Sequence, residues 1–411
     1  MTYNDFFLSI REKIDTALAA NNLTDTELLD SIEDLVQREN ELNSMYLSIS
    51  ERISISKKIF NSIRGFGILN SIMEDEDVTE VMINGHDNIF IEKKGKIYKY
   101  TDSFDSEEKL NDIIQRIVGK AGREVNQANP IVDTRLPDGS RVNVVLPPIS
   151  LCGAVVTIRK FSKTPMTAEK LIEYNSITAE IAEILKQLVA AKYNIFISGG
   201  TGSGKTTFLN AMSNYIPKDE RLITIEDSAE LQIAGIENLV RLETRNANTT
   251  GAGELTIRDL IKSALRMRPE RIVVGEVRGR EALDMLQAMN TGHDGSLSTG
   301  HANSSLDMLS RLETMVLTGA EGLPLIAVRQ QISSAIDIII HLSRMRDKTR
   351  KVVEISEVCG LENGEIKLNT LYEFVENKDS TQDCVKGELR RTENSFRNYS
   401  KLRAAGINII I

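Results

Sequence analysis

The chain has 411 residues, of which 41% are hydrophobic and 27% charged, a balance typical of water-soluble globular proteins with two or three domains. Its net charge of −9 argues against a protein that binds duplex DNA, and no apolar run approaches the roughly 20 residues of a transmembrane helix. The N-terminus lacks the basic start of a signal peptide, and the three cysteines form no C-x-x-C pair. We therefore expect a cytoplasmic protein with reduced thiols and without a structural zinc site.

Residues 1–65 predict an N-terminal helical module. Phe6 and Ile10 begin an apolar face at helical spacing, and Thr24 with Glu27 forms a capping box. A glycine-containing turn at Gly65 indicates a linker at the end of the module. Since no residue here carries chemistry, we interpret the segment as a small module that packs against another structure.

Residues 66–165 predict a mixed α+β domain that bears arginines. The predicted elements are a strand at 78–83, a hairpin at 88–100, a helix at 107–121, a tight hairpin at 135–141 and a strand at 155–160. The tight hairpin carries Arg135 on one flank and Arg141 on the other.

From residue 166 to residue 345, apolar strands alternate with helical segments, which favours a mostly parallel α/β sheet with helices on both faces. The strands are predicted at 194–198, 222–226 and 271–275. In such a sheet the functional site lies at the carboxyl ends of the strands. The last predicted segment, 346–411, contains a hairpin at 351–374 and a polar tail whose role the pattern does not indicate.

The most informative motif is a glycine-rich loop at 199–206, which reads Gly-Gly-Thr-Gly-Ser-Gly-Lys-Thr between a strand and a helix. Glycines let backbone N–H groups curl around a phosphate, and the first helical turn adds unpaired N–H groups and the positive end of the helix dipole. We predict that Lys205 reaches the β- and γ-phosphates of ATP and that the Thr206 hydroxyl holds Mg²⁺. The predicted nucleotide-binding residues are Gly200, Thr201, Gly202, Ser203, Gly204, Lys205, Thr206 and Thr207.

Two carboxylates lie at the ends of predicted strands, where a P-loop site would need them. Glu226 ends one strand, and Glu276 follows another. Gly275 stands where many P-loop proteins carry the Walker B aspartate. The two glutamates are therefore predicted to share the tasks of holding Mg²⁺ and of aligning the attacking water as a general base.

His293 and His301 lie in a short segment rich in glycine and hydroxyl residues. No cysteine is close to them in the sequence, which argues against a zinc site. An imidazole near the γ-phosphate can report whether that phosphate is present. We interpret both histidines as catalytic candidates in a sensor segment, with hydrogen-bonded structural histidines as the alternative.

P-loop sites often need an arginine, commonly from a neighbouring subunit, to neutralise charge that develops on the γ-phosphate. Arg135, Arg141 and Arg159 are the candidates for this role. Weaker candidates are Arg245, Arg266 and Arg268.

Four motifs, taken in chain order, resemble those of the ATPases of type II and type IV secretion systems. They are the Walker A loop at 199–206, an Asp box at 224–227, a Walker B segment at 272–278 and a His box at 291–296. A missing Walker B aspartate is itself a feature of that family. The resemblance is closer to the CpaF/TadA branch, the assembly motors of Tad (Flp) pili, and it is supported by the runs 133–141, 157–161 and 265–269. Three scattered cysteines leave no tetracysteine zinc insertion of the kind that the type II and type IVa branches carry, which also favours the Tad branch.

This resemblance implies a RecA-like core and a homohexameric ring on the cytoplasmic face of the inner membrane. The ring would hydrolyse ATP and transmit motion to integral-membrane platform proteins. By the same resemblance, Arg141 and Arg159 match the arginines of the family's N-terminal domain that approach the phosphates, and Arg135 is a weaker match.

Two other functions share the P-loop core. A RecA-like nucleic-acid translocase would need a basic channel lined with aromatic residues, whereas aromatic residues make up 5% of this chain and tryptophan is absent. A non-enzymatic scaffold that uses nucleotide as an assembly switch would not need the two glutamates or the histidine segment. We therefore expect an ATP-hydrolysing motor that does not bind nucleic acid.

Overall fold

A computed structural model describes residues 6–7, 9–10, 13–14, 24–43, 46–63, 65–161, 164–245, 247, 253–320 and 322–409. The chain divides into two compact units, Met1–Lys163 and Thr164–Ile411. Among the described residues, no helix combines the length and the apolar character that a membrane span requires.

The first unit begins with helices that enclose a small core of their own. These helices are α1 (Asp25–Leu42) and α2 (Ile49–Ile63). Phe6, Leu28 and Ile59 are among the buried residues of their core. The predicted capping box is confirmed, since Thr24 Oγ1 accepts a hydrogen bond from Glu27 N and Glu27 Oε2 accepts one from Thr24 N.

The rest of the first unit is a six-stranded antiparallel sheet covered by helices. Its elements are α3 (Ile68–Glu74), β1 (Val78–Asn84), β2 (Ile89–Lys93), β3 (Lys96–Lys99), α4 (Glu107–Lys120), β4 (Ile131–Arg135), β5 (Arg141–Val145) and β6 (Val155–Arg159). The strand order is β3-β2-β1-β6-β5-β4, so both predicted hairpins, β2–β3 and β4–β5, are confirmed. The Ser106 side chain caps α4, which buries its apolar face in the core of the sheet.

The second unit is built on a nine-stranded sheet. Its strands are β7 (Ile195–Gly199), β8 (Leu222–Glu226), β9 (Leu239–Glu243), β10 (Arg271–Val274), β11 (Leu297–His301), β12 (Ile338–Arg344), β13 (Arg350–Glu362), β14 (Glu365–Glu376) and β15 (Gly387–Arg391). The order is β15-β14-β13-β12-β7-β11-β10-β8-β9. The six strands from β12 to β9 pair in parallel, and β13 to β15 continue the sheet with antiparallel pairs.

Helices cover both faces of this sheet, as the alternation of strands and helices predicts. They are α5 (Ala168–Glu173), α6 (Ala179–Ala190), α7 (Lys205–Ser213), α8 (Ile257–Ala264), α9 (Glu281–Asn290), α10 (Ser305–Gly319), α11 (Leu325–Ala335) and α12 (Ser400–Ala404). Helices α6 and α7 pack on one face, and α8 to α11 pack on the other. Every residue of β7 and β8 is therefore buried, which explains why these strands are mainly apolar and show no alternation of polar and apolar residues.

The hairpin predicted at 351–374 is confirmed as β13–β14, and it belongs to the same sheet as the P-loop strand. The segment that follows returns to the sheet, because Phe396 and Leu402 are buried in its core. The buried Glu357 carboxylate accepts hydrogen bonds from the backbone N–H groups of Arg397 and Asn398. The C-terminal segment is thus packed on the sheet as far as residue 409.

Candidate active site

The P-loop connects β7 to α7 at the carboxyl edge of the parallel strands. Gly202 and Gly204 have φ angles of 72° and 91°, which favour glycine. Gly204 is the N-cap of α7 and has no side chain, so the N–H groups of the first turn of the helix remain able to donate hydrogen bonds to a phosphate. Thr206 and Thr207 occupy the second and third positions of this helix.

Lys205 is buried at the start of α7 and faces the end of β11. Its Nζ donates to Gly200 O at 3.0 Å and lies 3.1 Å from His301 Nδ1. A lysine ammonium has donors but no acceptor, so His301 Nδ1 must accept and His301 Nε2 must carry the ring proton. Lys205 thereby fixes the tautomer of His301.

His301 in turn contacts Glu276, the first carboxylate after β10. His301 Nε2 lies 2.8 Å from Glu276 Oε1, and Arg278 NH2 lies 2.7 Å from Glu276 Oε2. Burial, followed by the cations of Lys205 and Arg278, lowers the pKa of His301, while Glu276 opposes that effect. A neutral His301 between a lysine and a carboxylate follows from these contacts.

Glu226 ends β8 and is almost fully buried. Its Oε1 accepts hydrogen bonds from the N–H groups of Glu230 and Leu231, at 2.8 Å and 3.0 Å. Its Oε2 is also buried, and no residue that the structure describes donates a hydrogen bond to it. Burial is the largest influence on this carboxyl and raises its pKa.

Gly275 allows Glu226 to occupy this position. A Cβ atom at residue 275 would lie 3.1 Å from Glu226 Cγ, closer than ordinary van der Waals contact. An aspartate at 275 would therefore press on the Glu226 side chain. The glycine at the Walker B position thus leaves the space in which the Glu226 side chain is buried.

The two histidines of the predicted sensor segment do not come together in this unit. His301 ends β11 beside the P-loop. His293 precedes β11, which is about 13 Å long, so it lies near the amino ends of the parallel strands. There His293 Nδ1 lies 3.2 Å from Ala288 O at the end of α9. One strand thus separates His293 from the other site residues.

The three predicted arginines lie in a row on the sheet of the first unit. Arg135 is directly opposite Arg141, and Arg141 is directly opposite Arg159 on the next strand. Val142 and Val144 face the core, so Arg141 points to the other face of the sheet. The row ends at a carboxylate, because Glu80 of β1 lies directly opposite Arg159.

Sequence reasoning missed three other arginines near the second unit's site. Arg278 contacts Glu276 and also lies 3.7 Å from Asp227. Arg350 Nε donates to Gly202 O at 3.0 Å, and Arg344 also lies beside the P-loop. Arg278 is within the Walker B segment and two residues from Glu276, a signal that could have identified it, whereas Arg350 is distant in sequence from the P-loop.

Comparison with known proteins identifies the family of this chain. Residues 63–409 match the family described as type II/IV secretion system protein. The chain is 34% identical over 295 residues to the conjugal transfer protein TrbB of Rhizobium radiobacter, covering 71% of this chain and 87% of that protein. It is 32% identical over 319 residues to the type IV secretion system protein VirB11 of Brucella suis, covering 70% and 86%.

Two solved structures share the fold. The Legionella pneumophila ATPase DotB aligns with a TM-score of 0.52 and 24% identity, covering 69% of this chain and 78% of that one. The pilus retraction motor PilT with bound ADP aligns with a TM-score of 0.51 and 18% identity, covering 82% and 86%. The chain belongs to the type II/IV secretion system protein family and is an ATPase.

Proposed function

We propose that this chain is a Tad-type pilus assembly motor, or the motor of a related secretion machine, and that it works as a homohexameric ring with a RecA-like core. The observation that carries the proposal is the contact series Lys205–His301–Glu276 at the mouth of the P-loop. It joins a phosphate-binding lysine to a carboxylate through one neutral imidazole. A nucleotide-switched scaffold would have no use for such a series.

In this proposal Glu276 is the general base. Its Oε2 accepts a hydrogen bond from Arg278 NH2, and its Oε1 lies 2.8 Å from His301 Nε2, so contacts on both oxygens restrict its orientation. A base held in this way can accept a proton from a water positioned for attack on the γ-phosphate. Lys205 and the N–H groups of the first turn of α7 bind the phosphates. His301 links the two groups and senses whether the γ-phosphate is present; His293 has no part in this proposal.

The residues near the P-loop also fit Mg²⁺, the second expected cofactor. Magnesium at nucleotide sites takes most of its ligands from phosphate and water and only one or two from carboxylates. Thr206 and Glu226 would hold it with Glu276, and the buried Glu226 Oε2 supplies an acceptor that no described residue uses. When bound, the metal supplies charge neutralisation to the phosphates. Among the described residues no cluster of three His, Cys, Asp or Glu forms a separate metal cage.

The arginine row supports a site shared between subunits. Arg141, flanked by Arg135 and Arg159, would approach the nucleotide of a neighbouring chain and neutralise charge in the transition state. In this scheme residues 1–65 form an N-terminal helical module, 66–165 the arginine-bearing domain, 166–345 the ATPase core and 346–411 its C-terminal extension.

The expected partners are further copies of this chain and the platform proteins of a pilus or secretion machine at the inner membrane. The location proposed is the cytoplasm, with membrane association through those partners. The scattered cysteines, Cys152, Cys359 and Cys384, support the Tad branch over branches that carry a tetracysteine insertion.

Phosphate release from the purified chain, with and without single-stranded DNA, tests the proposal. We expect Mg²⁺-dependent ATP hydrolysis that DNA does not stimulate, and we expect Lys205→Ala to abolish it, because the variant loses the charge that faces the β- and γ-phosphates. Lys186→Ala is the matched control, since Lys186 is exposed and pairs with Glu183. Strong stimulation by DNA would favour the translocase, and nucleotide binding without turnover would favour the scaffold.

A further inference from the structure

The turn between β12 and β13 lies against the P-loop of the same chain. Strand β12 runs parallel to β7, with Leu342 opposite Gly199, the first P-loop residue. The backbones approach closely here, because a Cβ atom at Gly199 would lie 2.5 Å from Leu342 O. The residues that follow Leu342 therefore extend beside the loop.

Two arginines of this turn contact the loop from outside. Arg350 Nε donates to Gly202 O at 3.0 Å, and Arg350 Cδ lies 3.4 Å from the position of a Cβ atom on Gly204. Arg344 NH1 lies 3.6 Å from the corresponding position on Gly202. Arg344 and Arg350 are also directly opposite each other across β12 and β13. Two arginine side chains thus lie beside the glycines at the tip of the P-loop.

The turn that carries them is held on several sides. Asp347 accepts hydrogen bonds from Thr349 N at 2.9 Å and, through its other oxygen, from Val385 N at 2.7 Å. Arg346 forms a bidentate ion pair with the carboxylate of Glu376 on β14. These contacts fix the turn to the C-terminal strands, so Arg344 and Arg350 are presented to the loop by a supported element.

We propose that Arg350 is a positioning residue for the polyphosphate of a nucleoside triphosphate: it holds the tip of the P-loop in its binding shape, and Arg344 adds positive charge at that tip from the same chain. This inference rests on the proposed function. The hydrogen bond occupies Gly202 O, while the N–H groups of the first turn of α7 remain for a phosphate. The C-terminal extension thereby acquires a role in nucleotide binding.

The test is nucleotide affinity and steady-state ATPase activity of full-length variants. A loop held in shape aids the ground state and the transition state equally, so its loss raises KM and leaves kcat nearly unchanged. We expect Arg350→Ala to raise KM, and the Kd for a fluorescent ATP analogue, by about tenfold or more, since a hydrogen bond from a charged donor is lost. Arg350→Lys keeps the charge and most of the stem but lacks Nε, so it should remain weakened.

Arg344→Ala should weaken binding chiefly at low ionic strength, and the difference from wild type should shrink toward about 0.5 M salt. Arg390→Ala is the matched control, since Arg390 is exposed on β15 and pairs with Glu388. If Arg350 and Arg344 had a purely structural role, their substitution would lower the Tm. KM would then not rise at constant kcat in Arg350→Ala, and the effect of Arg344→Ala would not depend on salt.

Affinity of Arg350→Ala within about twofold of wild type would overturn the inference. If Arg350→Ala does not fold, Arg350→Lys decides, because full affinity in that variant would show that the Nε donor is not needed. A wild-type chain that does not bind the analogue would overturn the proposed function as well. Loss of binding in Lys205→Ala, with normal binding in Arg350→Ala, would remove this inference alone.

Discussion

His301 Nε2 lies 2.8 Å from Glu276 Oε1, across the ends of two neighbouring parallel strands, β11 and β10. The other nitrogen of the ring faces the ammonium of Lys205. The histidine therefore connects the part of the site that binds phosphate with the carboxylate proposed to activate water.

Glu276→Gln should bind ATP but turn it over roughly 10²–10⁴-fold more slowly, because the amide keeps the shape of the side chain and loses the base. The measurement is single-turnover phosphate release together with the Kd for an ATP analogue. Glu183→Gln, a change on the exposed face of α6, is the control. Should Glu226→Gln prove inactive and Glu276→Gln active, the two glutamates would have to exchange roles.

The pH dependence of turnover should reflect a neutral His301. Burial lowers the pKa of His301 below its ordinary value of 6.5, so the ring stays unprotonated near neutral pH. Protonation removes the acceptor that faces Lys205, so activity should fall as pH drops through that lowered pKa. We expect an acid limb of kcat below 6.5 in the wild-type chain and its absence in His301→Gln. The same limb in both proteins would assign it to another group.

Glu226 should reduce the stability of the unliganded protein at neutral pH. Its pKa is raised above the ordinary 4.5, so the folded chain holds this proton more tightly than the unfolded chain does. Its contribution to stability is therefore complete below 4.5 and declines as pH rises through the raised pKa. Glu226→Gln has no charge to bury, so the Tm of the variant relative to wild type should increase from about pH 5 to about pH 8. A Tm difference that does not change with pH would contradict this explanation.

Arg141 provides the sharpest test of a site shared between chains. Arg141→Ala and Glu276→Gln should each be nearly inactive, since loss of a positioned arginine costs about 10³-fold or more. In a mixed ring, the Glu276→Gln subunit supplies an intact Arg141 to its Arg141→Ala neighbour, whose Glu276 is intact. Co-assembly should therefore restore measurable ATPase activity.

Mass spectrometry must first confirm that mixed rings form. A parallel titration of wild type with Glu276→Gln shows whether one defective site stops the whole ring. If rings tolerate defective sites and mixing the two variants restores no activity, Arg141 acts within its own chain.

Local patterns in the sequence were sufficient to predict the elements that present the site. The glycines of the P-loop, the apolar strands before it and before Glu226 and Glu276, and the hairpin between Arg135 and Arg141 all depend on neighbours a few residues apart. Glycine at positive φ, buried parallel strands and tight turns each leave a short signature of this kind. The motifs also indicated the family, which the comparisons support.

The tertiary structure decided which of these residues meet. His293 and His301 are close in sequence, but strand β11 separates them and places them at opposite ends of the parallel strands. Arg350 is far from Gly202 in sequence, yet the pairing of β12 with β7 brings them into hydrogen-bond contact. Strand order and register arise from the packing of the whole core, and no short segment encodes them. The sequence therefore determined what chemistry is available, and the sheet determined which groups act together.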